Sequence, residues 1–575
     1  QFFVDGFSGG QLPPKSSIRE IRINSNPFAP EYDRPGFGRI EILTKPGTDN
    51  YHGTVFLNVG DRIFDTRNPL LTSDQPGYSS KFFTGNFGGP LTKKSSFFID
   101  FFRRDINQGA LINARTLDSS FNEVAYNGSY PTPQHLWTIA PRLDYQLNAT
   151  NTLVMRYSHS DNSNTGGVGQ FNLPSQETVA HTKNNVAQIT ETAILGTKAI
   201  DETRFQFGDN HTNQAGTGDS SIPGINVASS FNSGGSPMSS NFTHTRSYEL
   251  QNILTLTHGA HTIKAGGRLR QSDLDSRSTS NFNGSYTFGT PSASAACLSG
   301  IGNPTSLDLY RQTEILLAQG MPMSAILASG CGPTQFTLSG GIPEQSVRQL
   351  DLGLFVQDDW RVRPNLTVSA GLRYETQNNI HDHRDFAPRL SIAWSPMAKA
   401  NRPSKTVIRA GWGVFYDRFD LSDTLLALRF NGVNQANYVI NSGTAGATPQ
   451  ALAALGYFPA APPVSLLNLQ NQALYVVDKN FHAPYMMQTA VGVDRTLPWK
   501  TSLSVNFVQT RGLDVLRTRD INAYLPGTYT GPGTGVRPYS TDNDIYLFES
   551  SGMFKQTQLI MNVSNRLSSH LQLQG

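Results

Sequence analysis

Residues 366–375 read LTVSAGLRYE. The even positions, Leu366, Val368, Ala370, Leu372 and Tyr374, are apolar or aromatic, whereas Thr367, Ser369, Gly371, Arg373 and Glu375 are polar or small. Successive side chains of a strand point to opposite sides, so a period of two makes one face oily and the other wet. A soluble sandwich buries such an oily face in its core. A membrane-spanning barrel turns it toward lipid and keeps the wet face for the lumen.

The same alternation recurs along the chain. In LWTIAPRLDYQL, Trp137, Ile139, Leu143, Tyr145 and Leu147 oppose Thr138, Arg142, Asp144 and Gln146. VRQLDLGLFVQDDW sets Leu350, Leu352, Leu354, Val356 and Trp360 against Gln349, Asp351, Gln357 and Asp359. FAPRLSIAWSP sets Phe386, Leu390, Ile392 and Trp394 against Arg389, Ser391 and Ser395. TVIRAGWGVFYD sets Ile408, Trp412, Val414 and Tyr416 against Arg409, Gly411, Gly413 and Asp417. Aromatic rings favour the ends of the oily faces, as a membrane–water interface selects.

Connections discriminate between the two architectures. NATN (148–151), HGAH (258–261), RVRPN (361–365) and LPWK (497–500) are short. Between them lie long polar stretches, among them 212–245, 272–346 and 419–484, with one connection of medium length at 377–385. Short turns on one side and long loops on the other belong to an outer-membrane barrel, and a sandwich or propeller has no reason to keep that parity. About sixteen strands follow residue 50, with a further one starting near Leu571. The expectation is an all-β, antiparallel transmembrane barrel of about 22 strands when complete, a size at which barrels carry a plug.

Composition agrees. Charged residues are 15% of the 575, against about 25% in an average soluble domain, and the apolar set is only 37%. No run approaches the ~20 apolar residues of a spanning helix. A formal charge of +3 without a basic cluster gives no sign of nucleic-acid binding. Cys297 and Cys331 lie in one long irregular segment and suit either a loop disulfide or two unrelated thiols. Between them, TSLDLYRQTEILLAQGM (305–321) has helical spacing and reads as a structured surface loop rather than a domain.

Residues 1–49 differ in grain. IREIRIN and GRIEILTK read as short strands, PPKSS as a turn or helix start, and YDRPGFG as a turn-rich link. Two short strands cannot form a stable unit alone, and lying inside the barrel would give them a home. Glu20, Arg22, Arg34, Arg39 and Glu41 would then have luminal Arg and Asp side chains within reach.

SIREIRINSNPFAPEYDRPGFGRIEILTKPGTDNYHGTVF (17–56) resembles the end of the plug and the first barrel strand of TonB-dependent outer-membrane receptors, in particular the Oar-like group. FFTGNFGGPLTKKSSFFIDFFRR (82–104), FVQDDWRVRPNLTVSAGLRYE (355–375) and the stretch from Asn480 to Leu516 are similar to segments of the same group, in the same order. The resemblance implies a plug remnant at 1–49 and a barrel at 50–575. Asp5, Gly6, Arg22, Arg34, Gly36, Gly38, Arg39, Glu41, Lys45 and Gly47 would carry the plug's core and turns. By the alternation itself, the polar-face residues Arg142, Asp144, Arg373, Glu375, Arg389, Arg409 and Asp417 would face the lumen. The resemblance also implies residence in the bacterial outer membrane as a monomeric barrel in contact with lipid, coupling to the TonB complex, and a ligand at the outer loops. An oligosaccharide or peptide is favoured, with a siderophore as a further option; a structural or secretion-linked surface barrel is the alternative. Both ends read as cut, with the signal peptide, TonB box, first half of the plug and closing strands lying outside this sequence.

Three local motifs point elsewhere and carry less. GFSGG (Gly6 to Gly10) matches the short nucleophile-elbow pattern without the α/β layout that pattern requires. HDHRD (His381 to Asp385) puts two histidines on one side of a strand, yet in a connection that reads as a solvated loop. FAPRLS resembles a haem-receptor motif without an axial-ligand arrangement. No enzyme activity, metal or cofactor is expected.

Overall fold

In the structure, the two faces of LTVSAGLRYE part as the period requires: Leu372 is 41% exposed, while Arg373 and Glu375 are 2% and 6% exposed. The computed structural model describes residues 2–8, 12–23, 28–33, 40–67, 69, 75–290, 295–396, 404–442, 448–531, 534–539, 541–566 and 572–574. Among the described residues, eighteen strands make a closed barrel. Seventeen of them run from His52–Asp61 to Gln572–Gln574, each antiparallel to the next in chain order. The remaining one, Ala473–Val477, pairs in parallel with the start of Asp544–Arg566. The seventeen match the sixteen strands and one further strand read from the alternation.

The parity of connections holds except around the strand Asp385–Trp394, where the link on the tight side, 395–405, is longer than 378–384 on the other. Links 93–94, 147–150, 196–198, 259–260, 364–365 and 498–500 are tight, with 395–405 on the same side. Links 62–78, 108–133, 167–177, 217–239, 278–343, 378–384, 417–484 and 521–543 lie at the other end. Two of the tight links, 93–94 and 196–198, are not among the short connections read from the sequence, although Gly196 takes the positive φ of a turn glycine. Among the described residues no helix is long and apolar enough to cross a membrane.

At the long-loop end the chain builds more than a structured loop. Segments Phe231–Gly234, Gly224–Val227, Ser285–Phe288, Gln335–Gly341, Gln435–Asn441 and Asn468–Leu469 form a six-stranded sheet contributed by three different loops. Helices Ser306–Ala318, Met323–Ala328 and Pro449–Leu455 accompany it, the first started by a capping box between Thr305 and Asp308. Tyr286, Phe288, Ile326, Phe336, Ala454 and Leu455 have no exposed surface, so the module has a true apolar core. Cys297 and Cys331 are bridged at its edge. This corrects the reading of 305–321 as a lone structured loop, because the partner strands come from loops over a hundred residues apart and have no local pattern linking them.

Residues 2–44 supply a separate four-stranded sheet in the order Phe7–Ser8, Phe2–Val4, Ile40–Thr44, Ile18–Ile23. Its central pair, Phe2–Val4 and Ile40–Thr44, is parallel. Phe3, Val4, Phe7 and Ile42 are each under 5% exposed. This unit touches strands from around the barrel, among them Gln134–Gln146, Ala199–Gly216, His261–Arg277, Leu366–Gln377 and Thr406–Tyr416. A segment that meets so many walls of one closed sheet lies inside it.

Candidate functional site

The contact between the inner unit and the barrel wall is built largely from carboxylates in the connecting segments of the former and guanidinium groups on the latter. Asp33, 2% exposed, accepts from Arg268 Nη1 at 3.2 Å and Arg270 Nη2 at 3.0 Å, and lies 3.5 Å from Arg418 Nη1. Arg268 and Arg270 alternate with Leu269 on the strand His261–Arg277, so both reach the lumen while Leu269, 41% exposed, turns outward. Burial opposes the charged form of Asp33, yet Arg268, Arg270, Arg418 and Arg373 together hold its carboxyl well below the usual range. Glu31 meets Lys264 at 3.0 Å, and Ser8 Oγ donates to Glu249 at 2.9 Å while accepting from Arg270 at 3.0 Å.

A second cluster surrounds Asp5. Its carboxylate receives the backbone N–H and hydroxyl of Thr44 at 2.9 and 2.6 Å and Arg156 at 3.2 Å, with Arg142 at 3.7 Å. Arg142 also donates to Thr44 Oγ1 at 2.7 Å and pairs with Asp144 at 2.7 Å, so this wall pair is tied to the inner sheet. Gly6 follows at φ +85°, with a carbonyl 3.5 Å from Arg204 Nη1. A Cβ at Gly6 would overlap that guanidinium.

Residues 28–33 form the third contact. Arg389 donates to the carbonyls of Ala29 at 3.0 Å and Tyr32 at 2.6 Å, and its guanidinium lies 4.0 Å over the Phe415 ring. Phe28 packs against Phe415, with ring centroids 6.2 Å apart. Arg373 pairs with Glu375 and donates to Pro30 O at 3.3 Å. Arg418 closes the network onto Asp351 at 3.2 Å and Glu375 at 3.6 Å.

Other positions singled out from the sequence stand elsewhere. Arg22 pairs with Glu20 at 3.0 Å on the edge strand of the inner sheet, opposite Glu41, and both side chains of the pair are about half exposed. Lys45 donates to Ser16 O at 2.6 Å within the inner unit, and Gly47 lies against the Phe97 backbone. Arg409 pairs with Asp494 near the tight-turn end. Asp417 lies just past the strand Thr406–Tyr416, at the root of an outer loop, because its N–H is already committed to Pro484 O. Arg34, Gly36, Gly38 and Arg39 lie outside the described residues. In HDHRD, His383 bonds Thr376 Oγ1 at 2.8 Å and Asp382 faces His482 at 3.2 Å. Among the described residues no three His, Cys, Asp or Glu side chains converge as a metal site would need.

Sequence reading missed the acids Glu31 and Asp33 and the bases Arg156, Arg268, Arg270 and Arg418. GGRLRQS (266–272) has a period-two signal that would have reached Arg268 and Arg270. Asp33 has none, since a lone acid in a turn-rich link resembles any solvated one.

A family model described as outer membrane beta barrel domain matches residues 107–385 and 378–575. Among solved structures, the outer membrane transporter YddB from Escherichia coli superposes with a TM-score of 0.62 at 13% identity, covering 98% of this chain and 66% of its own. The siderophore receptor PirA from Pseudomonas aeruginosa gives 0.55 at 13%, covering 100% and 75%. A mutant of the ferric enterobactin receptor PfeA from Pseudomonas aeruginosa gives 0.58 at 13%, covering 100% and 71%. The likeness at this identity is one of fold, and the chain spans only about two thirds of YddB. No curated protein matches the chain by sequence.

Proposed function

Since the chain belongs to the outer membrane beta barrel domain family, and so resides in the bacterial outer membrane, we propose that it is a receptor that imports a ligand through a plugged barrel. The inner sheet is the plug. The observation that carries this reading is the Asp33 cluster: one buried carboxylate holds guanidinium groups from separate parts of the wall. Such a unit is held chiefly by polar contacts that water can replace, so it yields without unfolding the barrel. In this reading the TonB complex acts on the inner side of the plug and draws on the inner-membrane proton gradient, as the sequence resemblance implies.

A ligand would first meet the outer loops, where Tyr126, Tyr457, Tyr529 and Tyr539 are 42%, 46%, 52% and 50% exposed. Exposed tyrosines among amide-rich loops suit an oligosaccharide or peptide, which we place ahead of a siderophore. Single-channel conductance of the complete protein, with and without residues 1–49, tests the plug. A nearly silent intact protein that becomes a large pore on removal supports the proposal, and an intact protein that conducts freely overturns it.

A second reading, a structural or secretion-linked surface barrel, is favoured by the outer module with its own core and disulfide. Loss of a surface phenotype with uptake of candidate ligands unchanged would select it.

A further inference from the structure

The outer link 108–133 is a hairpin in which Gly109–Leu117 pairs with Glu123–Pro131 in continuous register, without a bulge. Asp118 closes its turn, accepting from Ser120 N at 2.9 Å and Asn122 N at 2.8 Å. The first strand is anchored to the outer module. Asn113 N donates to Gln170 O at 2.8 Å, Gln170 N to Leu111 O at 2.7 Å, and Arg115 N to Ser230 O at 3.2 Å. Ile112 and Ala114 are buried in the module's core.

Those bonds fix the polarity of both strands. In an antiparallel ladder the N–H and C=O of one residue serve the same neighbour, and the side served alternates along the strand. Leu111, Asn113 and Arg115 serve the module, so Ala110, Ile112, Ala114 and Thr116 serve the second strand. Their partners in register are Tyr130, Gly128, Tyr126 and Val124. The N–H and C=O groups of Ala125, Asn127 and Ser129 therefore point away from the hairpin. Among the described residues none of these six groups has a partner, and all three residues are exposed. Pro131 lies on the same side, brings no N–H, and ends the row.

Long strand edges are normally blunted by a lysine, a bulge or an inner proline. Between Val124 and Tyr130 this edge has none of these. The one charge on the strand, Glu123, is paired with Arg115 at 2.8 Å beside the turn. On the face that carries Ile112 and Ala114, Val124 and Tyr126 are 37% and 42% exposed. A Cβ at Gly128 would meet nothing within 4 Å. The edge thus presents donor–acceptor pairs repeating at ~7 Å beside an uncharged, partly apolar shelf. A polypeptide backbone is the complement of that repeat, and an oligosaccharide has no alternating N–H and C=O to match it.

We infer that the edge 125–129 captures an extended, uncharged peptide as an added antiparallel strand. Its aromatic residue lies over the bare Gly128, and β-branched residues stand opposite Tyr126 and Val124. Burial of Ile112 and Ala114 holds the edge in place before the peptide arrives, so the cost of ordering falls chiefly on the peptide. Capture takes place at the outer surface and holds whether or not the peptide is then imported.

Fluorescence anisotropy of a labelled, end-blocked peptide, Thr-Phe-Thr-Val-Thr-Val-Thr, titrated with the complete protein in detergent tests the inference. With the phenylalanine opposite Gly128, the third residue faces Asn127 and the fourth faces Tyr126. N-methylation of the third residue removes a bond to the edge and should weaken binding roughly tenfold or more. N-methylation of the fourth alters a group that points away and should leave binding unchanged. Asn127→Pro deletes only an outward N–H of the edge and should abolish binding, with the heat-modifiable gel band unchanged. Equal weakening by the two N-methyl groups, displacement of the peptide by maltohexaose, or no saturable binding at millimolar peptide overturns the assignment. A protein dimer that Asn127→Pro dissociates would give the edge to a second copy and overturn it too. Should the variant fail to fold, the contrast between the two methylated peptides on the unaltered protein decides alone.

Discussion

Asp33 Oδ2 lies 3.2 Å from Arg268 Nη1, across 235 positions of chain, with both side chains at or below 5% exposed. One end of this bond belongs to the inner segment 28–33 and the other to the wall strand His261–Arg277, so the bond ties the two together. Breaking one partner of a buried charge pair at an interface costs roughly 2–5 kcal/mol, much of it from the partner left unpaired. Asp33→Asn removes the carboxylate that Arg268, Arg270 and Arg418 share and leaves them only Glu249, Asp351 and Glu375. It should raise the frequency of open-channel events in a planar bilayer while leaving the heat-modifiable mobility of the barrel intact.

The same residue sets an acid limit. A carboxyl whose folded value is depressed contributes stability that is present above its unfolded value, about 3.9, and is lost as pH falls through the folded one. Asp33 is held well below the usual range by its arginines, after burial has opposed its charge. Acidification from pH 7 to 5 should therefore leave the closed-state conductance unchanged. Opening that begins near pH 6 would show that another group governs retention.

Gly411 leaves room for Phe28. A Cβ there would meet the Phe28 ring at 2.2 Å. Overpacking of this kind costs about 1–3 kcal/mol. Gly411→Val should displace residues 28–33 from Arg389 and Phe415 and so speed protease cleavage within 24–39, with cleavage of the outer loops unaltered.

The bridge between Cys297 and Cys331 closes a loop with a sequence separation of 34. Loop-closure entropy for that length is worth about 3–4 kcal/mol. The Cys297→Ser/Cys331→Ser pair should lower the unfolding temperature of the outer module and expose 291–334 to protease. The transmembrane strands should show the same amide-exchange protection as before, because the module has its own core.

On the lipid side, Leu354 is 47% exposed between the Leu350 and Trp360 rows. Leu354→Arg should destabilise the barrel by roughly 2–4 kcal/mol in a urea titration from lipid vesicles, as expected for a charge near the bilayer midplane. A cost near zero would mean that this face meets water.

The sequence by itself determined the barrel. Alternation is a local property of each strand, so LTVSAGLRYE and its counterparts state which side chains face lipid, and Arg142, Arg373 and Arg389 could be placed in the lumen one strand at a time. Loop parity followed from the same local reading. Only the tertiary structure decided who meets whom inside. That Asp33 meets Arg268, Arg270 and Arg418, and that three distant loops share one core around Tyr286 and Phe336, both depend on segments far apart in the chain being brought together by closure of the sheet. No period within a strand encodes those distances, because hydrogen bonding along the barrel is indifferent to which luminal side chains it brings face to face.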